Sequence, residues 1–243
     1  MARTTPNDAA RNFANDLAVA LPDRLRSIVL YGSTARSEFQ PGWSDVNVLV
    51  FADRVDESLL VGAAPVMNAH EDARVTPLVL TWEERPRAAD AFAIELLDMQ
   101  DAHILLWGDE PFEGTSVETH ALRLQAEREL RSRLATLDSR LLRVAHDERA
   151  IGQLLAVALP SFVTYMRAAL RLGGRSVPTT MRSVIAEAAQ LVGAPDAGLN
   201  AALDARSGSS NWRVSLANPV VSQYRTAVQR TASWVDSIEK ELR

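Results

Sequence analysis

The spacing of hydrophobic and polar positions changes near Pro111. Before this residue, short apolar runs alternate with stretches of helical spacing, and after it the apolar spacing is helical throughout. The pattern predicts an α+β fold, in which an N-terminal mixed sheet with helices is followed by an all-α helical bundle. We place the two domains at residues 1–112 and 113–243.

Four apolar runs in the first domain are short enough to be buried strands. They are Arg26–Tyr31, Val46–Phe51, Arg74–Trp82 and His103–Gly108. Pro77 favours an edge position or an irregular start for the third strand, because proline cannot donate a hydrogen bond to a neighbouring strand. Helical spacing predicts helices at Asn7–Ala20 and Asp56–His70, whereas the pattern of Ala88–Gln100 fits either a helix or a strand.

Five helices are predicted in the second domain. They span Ser116–His146, Ile151–Leu172, Thr180–Val192, Pro195–Ala205 and Asn218–Leu242. Leucine recurs in the first of them at a spacing of alternately four and three residues, which is typical of a bundle seam. We therefore expect an up-and-down bundle of these helices.

Composition narrows the classes of function. The 243 residues carry a formal net charge of -5 with acids and bases well mixed, which argues against nucleic-acid binding and against a polybasic membrane patch. The sequence has no cysteine, so disulfides and thiolate metal sites are excluded. No apolar run approaches the roughly 20 residues that span a bilayer, and the N-terminus lacks the apolar core of a signal peptide. We expect a cytoplasmic protein without a membrane partner, and its oligomeric state stays open.

A short segment around the second predicted strand carries the candidate chemistry. The sequence reads GSTARS from Gly32, then EFQPGW, then SDVNVLV from Ser44. Side chains alternate between the faces of a strand, so Asp45 and Asn47 point the same way and lie about 7 Å apart. This spacing suits Mg²⁺, which prefers oxygen ligands from carboxylates and substrate phosphates.

The residues after the first predicted strand suit a phosphate-binding turn. Gly32 allows the backbone to approach a ligand closely, and Ser33 offers a hydroxyl and an N–H group. One helical turn is predicted at Thr34–Glu38, and the amino-terminal end of such a turn favours phosphate. Together with Asp45, these residues predict a triphosphate-binding corner beside a metal site.

Both motifs resemble those of the nucleotidyltransferase superfamily, which includes polymerase beta and the aminoglycoside nucleotidyltransferases. The family pattern reads Gly-Ser-x-Ala-Arg-Gly, a spacer, then Ser-Asp-x-Asp-Leu-x-Val, and Ser37 stands here in place of the second glycine. The match is close over residues 26–51 and looser to about residue 112. The resemblance implies a nucleotidyltransferase-type sheet domain followed by a helical domain.

The resemblance also implies roles for individual residues. The nucleotide-binding residues would be Gly32, Ser33, Arg36 and Ser44. Asp45 and Asn47 would be the metal ligands and the catalytic residues. A nucleoside triphosphate with Mg²⁺ would bind between the sheet and the bundle, and a nucleotidyl group would pass to a hydroxyl of a small molecule or a protein. Two metal ions would activate the acceptor and stabilise the leaving pyrophosphate.

Two departures from the family pattern weaken the expected metal site. Asn47 stands at the second carboxylate, and its amide oxygen carries no full charge. The third carboxylate would belong to the strand Arg74–Trp82, which contains no acid, and Glu83 and Glu84, which follow directly, are the nearest alternatives in sequence. We expect the loss of two of three carboxylates to cost several kcal/mol, which is about four orders of magnitude in rate.

The sequence leaves alternatives for the missing charge and for the function. Glu95 and Asp98, on the next element, are candidates to restore negative charge. The chain is either an active nucleotidyltransferase or a catalytically inactive descendant that keeps the fold for nucleotide sensing or protein interaction. A third alternative, an antitoxin-like partner of a ribonuclease toxin, fits less well with the long helical bundle.

Overall fold

The structure of this protein is a computed structural model that describes residues 5–208 and 211–238. These residues form two compact units. One unit contains the described residues up to Phe92 together with Leu96–Val117, and the other contains Ala93–Glu95 and the described residues from Glu118 onward. The strands belong to the first unit.

Four strands form a mixed sheet in the order β3-β2-β1-β4. They are β1 (Leu25–Tyr31), β2 (Val46–Ala52), β3 (Val75–Thr81) and β4 (His103–Gly108). β1 pairs antiparallel with β2 and with β4, whereas β2 and β3 run parallel. The mixed sheet and the edge position of Pro77 are confirmed.

The connections between the strands carry the helices of this part of the chain. They are α1 (Pro6–Ala20), α2 (Glu57–Ala69), α3 (Arg85–Ala91) and α4 (Ala93–Asp101), with a 3₁₀ turn at Glu71–Ala73. α1 begins at a capping box, in which the Thr5 hydroxyl accepts a hydrogen bond from the Asp8 N–H group at 3.1 Å. The segment Ala88–Gln100, whose pattern fitted either a helix or a strand, is helical, since α3 and α4 cover most of it.

Asp56 caps α2 and connects it to the loop before β1. Its Oδ1 atom accepts hydrogen bonds from the Ser58 hydroxyl at 2.7 Å, the Leu59 N–H group at 3.0 Å and the Arg24 guanidinium at 2.9 Å. These hydrogen bonds hold the pKa of the Asp56 carboxyl well below its usual range. The carboxylate is therefore charged at neutral pH, and it stabilises the amino-terminal end of α2.

β2 is buried on both faces and organises the core of the first unit. On one face, its three valines pack in a cluster with α1 and α2. On the other face, Leu49 and Phe51 pack in a cluster with Met99 and Phe112. A strand covered on both sides has a continuous apolar sequence, which is the pattern that predicted it.

The second unit is built from long helices. They are α5 (Thr119–Arg143), α6 (Glu148–Leu172), α7 (Met181–Val192), α8 (Ala197–Ser207) and α9 (Pro219–Ser237). Leu130, Leu137 and Leu141 of the predicted seam are buried, and α6 continues through Pro160 without ending. The predicted C-terminal end of the last helix, at Leu242, lies outside the described residues.

α6 is the one helix of the described chain that is long and apolar enough to cross a membrane, which the sequence analysis did not anticipate. In its apolar 18-residue window, however, 61% of the residues are buried within the fold. Leu155, Leu159 and Phe162 are almost completely inaccessible to solvent. Its apolar composition is therefore that of a core helix packed among other helices.

α8 and α9 approach each other closely at Gly198. A Cβ atom on Gly198 would lie 2.4 Å from the Tyr224 backbone nitrogen and 2.6 Å from the Val220 carbonyl oxygen. Tyr224 is completely buried, and its hydroxyl donates a hydrogen bond to the Leu155 carbonyl at 3.2 Å. Only glycine allows the two helix backbones to pack at this distance.

We expect the substitution Gly198→Ala to lower the free energy of unfolding by about 2 kcal/mol, because it overpacks a backbone contact. Helix propensity alone would give the opposite sign, a gain of about 1 kcal/mol. Urea unfolding followed by circular dichroism measures the difference. The matched control is Gly62→Ala in α2, where the added Cβ would meet only the flexible end of the Leu21 side chain. Equal effects of the two substitutions would contradict the close packing at Gly198.

Candidate functional site

The residue after β1 and the second residue of β2 meet at one corner of the sheet. Gly32 has a φ angle of +74°, in the region that favours glycine. An ideal Cβ atom on Gly32 would lie 3.0 Å from Nδ2 of Asn47, and Tyr31 pairs with Asn47 across the two strands. We call the site formed by Gly32, Ser33 and Asn47 the Gly32 corner.

Two polar side chains at the Gly32 corner are available for a ligand. Within the described residues, neither the Ser33 hydroxyl nor the Asn47 carboxamide makes a hydrogen bond, and both residues are partly exposed. A partly exposed polar group without a protein partner is hydrogen-bonded to water, and a polar ligand can take the place of that water. The Gly32 corner therefore presents a hydroxyl, an amide and an accessible backbone.

The chain after Gly32 forms a single helical turn, which ends at Ser37. The Glu38 N–H group donates to the Ser33 carbonyl at 2.8 Å, and the Ser37 N–H group donates to the Thr34 carbonyl at 3.2 Å. These two hydrogen bonds form a Schellman motif, and Ser37 has the left-handed conformation of its C′ residue, with a φ angle of +58°. The predicted helical turn is present, but no α-helix follows it.

Asp45 forms an ion pair with Arg74. Asp45 directly precedes β2 and Arg74 directly precedes β3, and the next residues, Val46 and Val75, pair in parallel register. Nη2 of Arg74 lies 2.7 Å from Oδ1 of Asp45, and the two side chains are 52% and 45% exposed. The carboxylate expected to bind a metal thus already has a cationic partner.

β3 supplies no carboxylate to this end of the sheet. Asn47 pairs with Thr76, whereas Glu83 and Glu84 lie beyond the other end of the strand at Thr81. The five residue steps from Thr76 to Thr81 separate the two ends by about 16 Å. Neither glutamate therefore reaches the Gly32 corner.

Arg36 connects the turn to α4. Its side chain is only 4% exposed, and its Nη2 donates to the carbonyl oxygen of Asp98 at 2.7 Å and to the Asp98 carboxylate at 2.9 Å. Asp98 therefore compensates Arg36 and adds no net negative charge to the site. Glu95, the other candidate carboxylate, accepts a hydrogen bond from Gln125 at 2.7 Å.

Ser44 lies apart from the Gly32 corner. Its side chain is buried, and its hydroxyl accepts a hydrogen bond from the Gln40 N–H group at 3.1 Å. Ser44 lines a cavity of about 840 Å³ together with residues of α1, the loop before β2 and the α2–β3 connection. Arg74 also lines this cavity, whereas Gly32, Ser33, Asp45 and Asn47 do not. Ser44 therefore lines a cavity that the other predicted nucleotide-binding residues, Gly32, Ser33 and Arg36, do not line.

The donors of this region do not fit a site for two metal ions. Within residues 5–208 and 211–238, no group of three or more histidine, aspartate or glutamate side chains could hold a metal ion. Two closely spaced divalent cations need several negative ligands to offset their mutual repulsion. Here a neutral amide stands at position 47, and Arg74 offsets the charge of Asp45.

A row of polar residues crosses the sheet beside the Gly32 corner. His103, Tyr31, Asn47 and Thr76 are successive partners across β4, β1, β2 and β3. The His103 ring lies within hydrogen-bond distance of the Met99 carbonyl, at 3.0 Å, and of a carboxylate oxygen of Glu110, at 3.0 Å. The sequence gives no signal for this row, because it depends on the register of three strand pairs.

The Gly-Ser turn beside the start of a central strand, on a mixed sheet followed by helices, is consistent with a nucleotidyltransferase fold that carries a helical domain. The crystal structure of the spectinomycin adenyltransferase AAD(9) from Enterococcus faecialis, determined with ATP and spectinomycin, is similar to this chain. The TM-score is 0.60, the sequence identity is 10%, and the match covers 93% of this chain and 97% of that chain. No family model and no curated protein matches the sequence. The likeness establishes the fold that the sequence motifs implied.

We expect Ser37→Gly to raise the free energy of unfolding by about 1 kcal/mol, because glycine removes the strain of the left-handed conformation. Chemical denaturation of the purified variant measures the gain. Ser37→Ala is the control, since it removes the hydroxyl and keeps the Cβ atom. An equal gain in both variants would show that the strained backbone is not the cause.

Proposed function

We propose that this protein binds a nucleoside triphosphate at the Gly32 corner and that nucleotidyl transfer by it is strongly attenuated. The observation that carries the proposal is the approach of Gly32 to Asn47, where a Cβ atom would lie 3.0 Å from Nδ2. The missing Cβ allows the Asn47 amide to lie against the Gly32 backbone, so that a phosphate bound by Asn47 would also lie close to that backbone. The fold supports the ligand class, because the similar AAD(9) structure was determined with ATP.

The polar groups of the Gly32 corner suit phosphate oxygens. A hydroxyl and an amide both carry hydrogen-bond donors, and a phosphate oxygen is an acceptor. Asn47 in particular offers an NH₂ group at a position where an aspartate would repel an anion that no metal neutralises. The substitution that weakens the metal site therefore makes the corner a better site for phosphate alone.

The same residues argue against efficient transfer. The reaction of the superfamily depends on metal-ion catalysis, and the carboxylates found here do not fit two metal ions. A loss of about 5.5 kcal/mol of transition-state stabilisation corresponds to about four orders of magnitude in rate. We therefore propose a nucleotide-binding protein whose transfer reaction is at least that much slower than with a complete set of carboxylates.

The acceptor class is proposed from the fold alone. The similar adenyltransferase structure contains spectinomycin, a small molecule. Any transfer that remains in this protein would accordingly be to a hydroxyl group of a small molecule. The transfer would be from a nucleoside triphosphate, with release of pyrophosphate.

We expect the natural protein to bind ATP in the presence of EDTA and Asn47→Asp to bind it about tenfold more weakly under the same conditions. A carboxylate beside Gly32 would repel the phosphates, and the loss corresponds to about 1.4 kcal/mol. Isothermal titration calorimetry measures both affinities. With millimolar Mg²⁺ added, we expect Asn47→Asp to regain affinity, because the new carboxylate provides a cation ligand.

The control for this experiment is Asn47→Ala, which removes one hydrogen-bonding group without adding charge and should lose only about threefold. Failure of the natural protein to bind ATP in either buffer would refute the proposal. So would pyrophosphate release by the natural protein with a small-molecule acceptor at ordinary enzymatic rates of about 1 s⁻¹ or more.

A further inference from the structure

Arg74 places a permanent positive charge beside the carboxylate that the superfamily uses to bind metal. Its guanidinium lies 2.7 Å from a carboxylate oxygen of Asp45 and carries a positive charge. We propose that Arg74 binds the phosphates of the nucleotide in place of a metal ion, so that nucleotide binding by this protein does not require Mg²⁺. This inference rests on the nucleotide binding proposed above and adds the residue that neutralises the ligand.

The backbone holds Arg74 in a conformation that is unfavourable for this residue type. Arg74 has a φ angle of +54°, which costs about 1 kcal/mol for a residue other than glycine. Its N–H group donates to the Glu71 carbonyl at 3.0 Å, and its carbonyl accepts from the Val46 N–H group at 3.0 Å. Glycine would satisfy both hydrogen bonds without strain, so the contribution specific to arginine at this position is its side chain.

The Arg74 side chain has hydrogen-bonding capacity beyond Asp45. A guanidinium carries five N–H donors in a planar fork, which matches the geometry of phosphate oxygens. The side chain is 52% exposed, and Asp45 is its ion-pair partner among the described residues. One carboxylate can therefore orient the guanidinium while its other donors bind an anion.

The strand register brings Arg74 within reach of the Gly32 corner. Asn47 pairs with Thr76, and Arg74 lies two residues before Thr76 on the neighbouring strand. A separation of two residues along one strand and one strand across the sheet is about 8 Å between backbones. Because an extended arginine side chain spans a comparable distance, Arg74 and Asn47 can contact the phosphate chain of one nucleotide.

The charges support binding without metal. Asp45 alone would repel a triphosphate, whereas the Asp45–Arg74 pair is neutral as a whole and has its cation on an exposed side chain. A metal ion at Asp45 would have to displace the guanidinium or lie beside it, and like charges at that distance repel. Arg74 and Mg²⁺ therefore compete for the same carboxylate.

The test compares ATP binding with EDTA and with millimolar Mg²⁺ in three variants of the full chain. We expect the natural protein to bind ATP with affinities that agree within about threefold in the two buffers. Arg74→Gly should bind ATP at least about tenfold more weakly than the natural protein in EDTA, as expected for the loss of a charge-assisted hydrogen bond. Since glycine suits the left-handed backbone, the thermal midpoint of this variant should not fall. Arg74→Lys keeps the charge without the planar fork and should lose less affinity than Arg74→Gly.

The Asp45→Asn variant best distinguishes phosphate binding by Arg74 from metal binding by Asp45. If Arg74 binds phosphate, Asp45→Asn should lower ATP affinity in EDTA only about threefold, because the amide oxygen orients the guanidinium less strongly than a carboxylate while the positive charge remains. Binding that needs Mg²⁺ in the natural protein and disappears in Asp45→Asn would overturn the inference, because it would make Asp45 a metal ligand. If Arg74→Gly bound ATP as tightly as the natural protein, the inference about Arg74 would also be overturned. The proposed nucleotide binding would then remain intact. Absence of ATP binding by the natural protein in both buffers would instead refute the proposed function, and this inference with it.

Discussion

The position of β2 between β1 and β3 determines the rest of the candidate site. Both faces of this strand are buried, and a shift of its register by one residue would exchange the two apolar clusters that it joins. The same register places Asn47 beside Tyr31 and brings Asp45 next to Arg74. The hydrophobic core thus fixes which polar residues meet at the start of the strand.

A guanidinium and a metal ion can both neutralise the negative charge of nucleotide phosphates, but the protein holds them in different ways. A bound metal must be held by several negative ligands, whereas an arginine is attached to the chain and needs only one carboxylate to orient it. An amide at position 47 is a poor metal ligand, but its NH₂ group is a good hydrogen-bond donor to phosphate. Asn47 and Arg74 are therefore consistent with each other, although each departs from what two-metal chemistry requires.

The sequence predicted what depends on local pattern. The apolar runs gave the strands, Pro77 indicated an edge, and the Gly-Ser and Asp-x-Asn motifs implied the fold. Contacts between distant residues were not accessible in this way. Arg74 is 29 residues from Asp45 in the sequence, and their proximity follows only from the parallel pairing of β2 with β3.

Two other predicted site residues illustrate the same limit. The motif predicted a nucleotide-binding role for Arg36, but its guanidinium is buried against Asp98, which lies 62 residues later. Ser44 is adjacent to Asp45 in the sequence, but it lines a cavity that Asp45 does not line. The sequence did contain a clue to Ser37, since the family pattern has glycine where its backbone is left-handed.

Pro77 has a consequence for the association of this protein with other chains. β3 forms one edge of the sheet, and the adjacent Leu78 is 40% exposed, so the strand offers an apolar surface to which another extended segment could add. Proline has no N–H group, and it therefore interrupts the backbone donors of β3 two residues after its start. The edge is protected against growth of the sheet by strand addition, and hence against aggregation through β3.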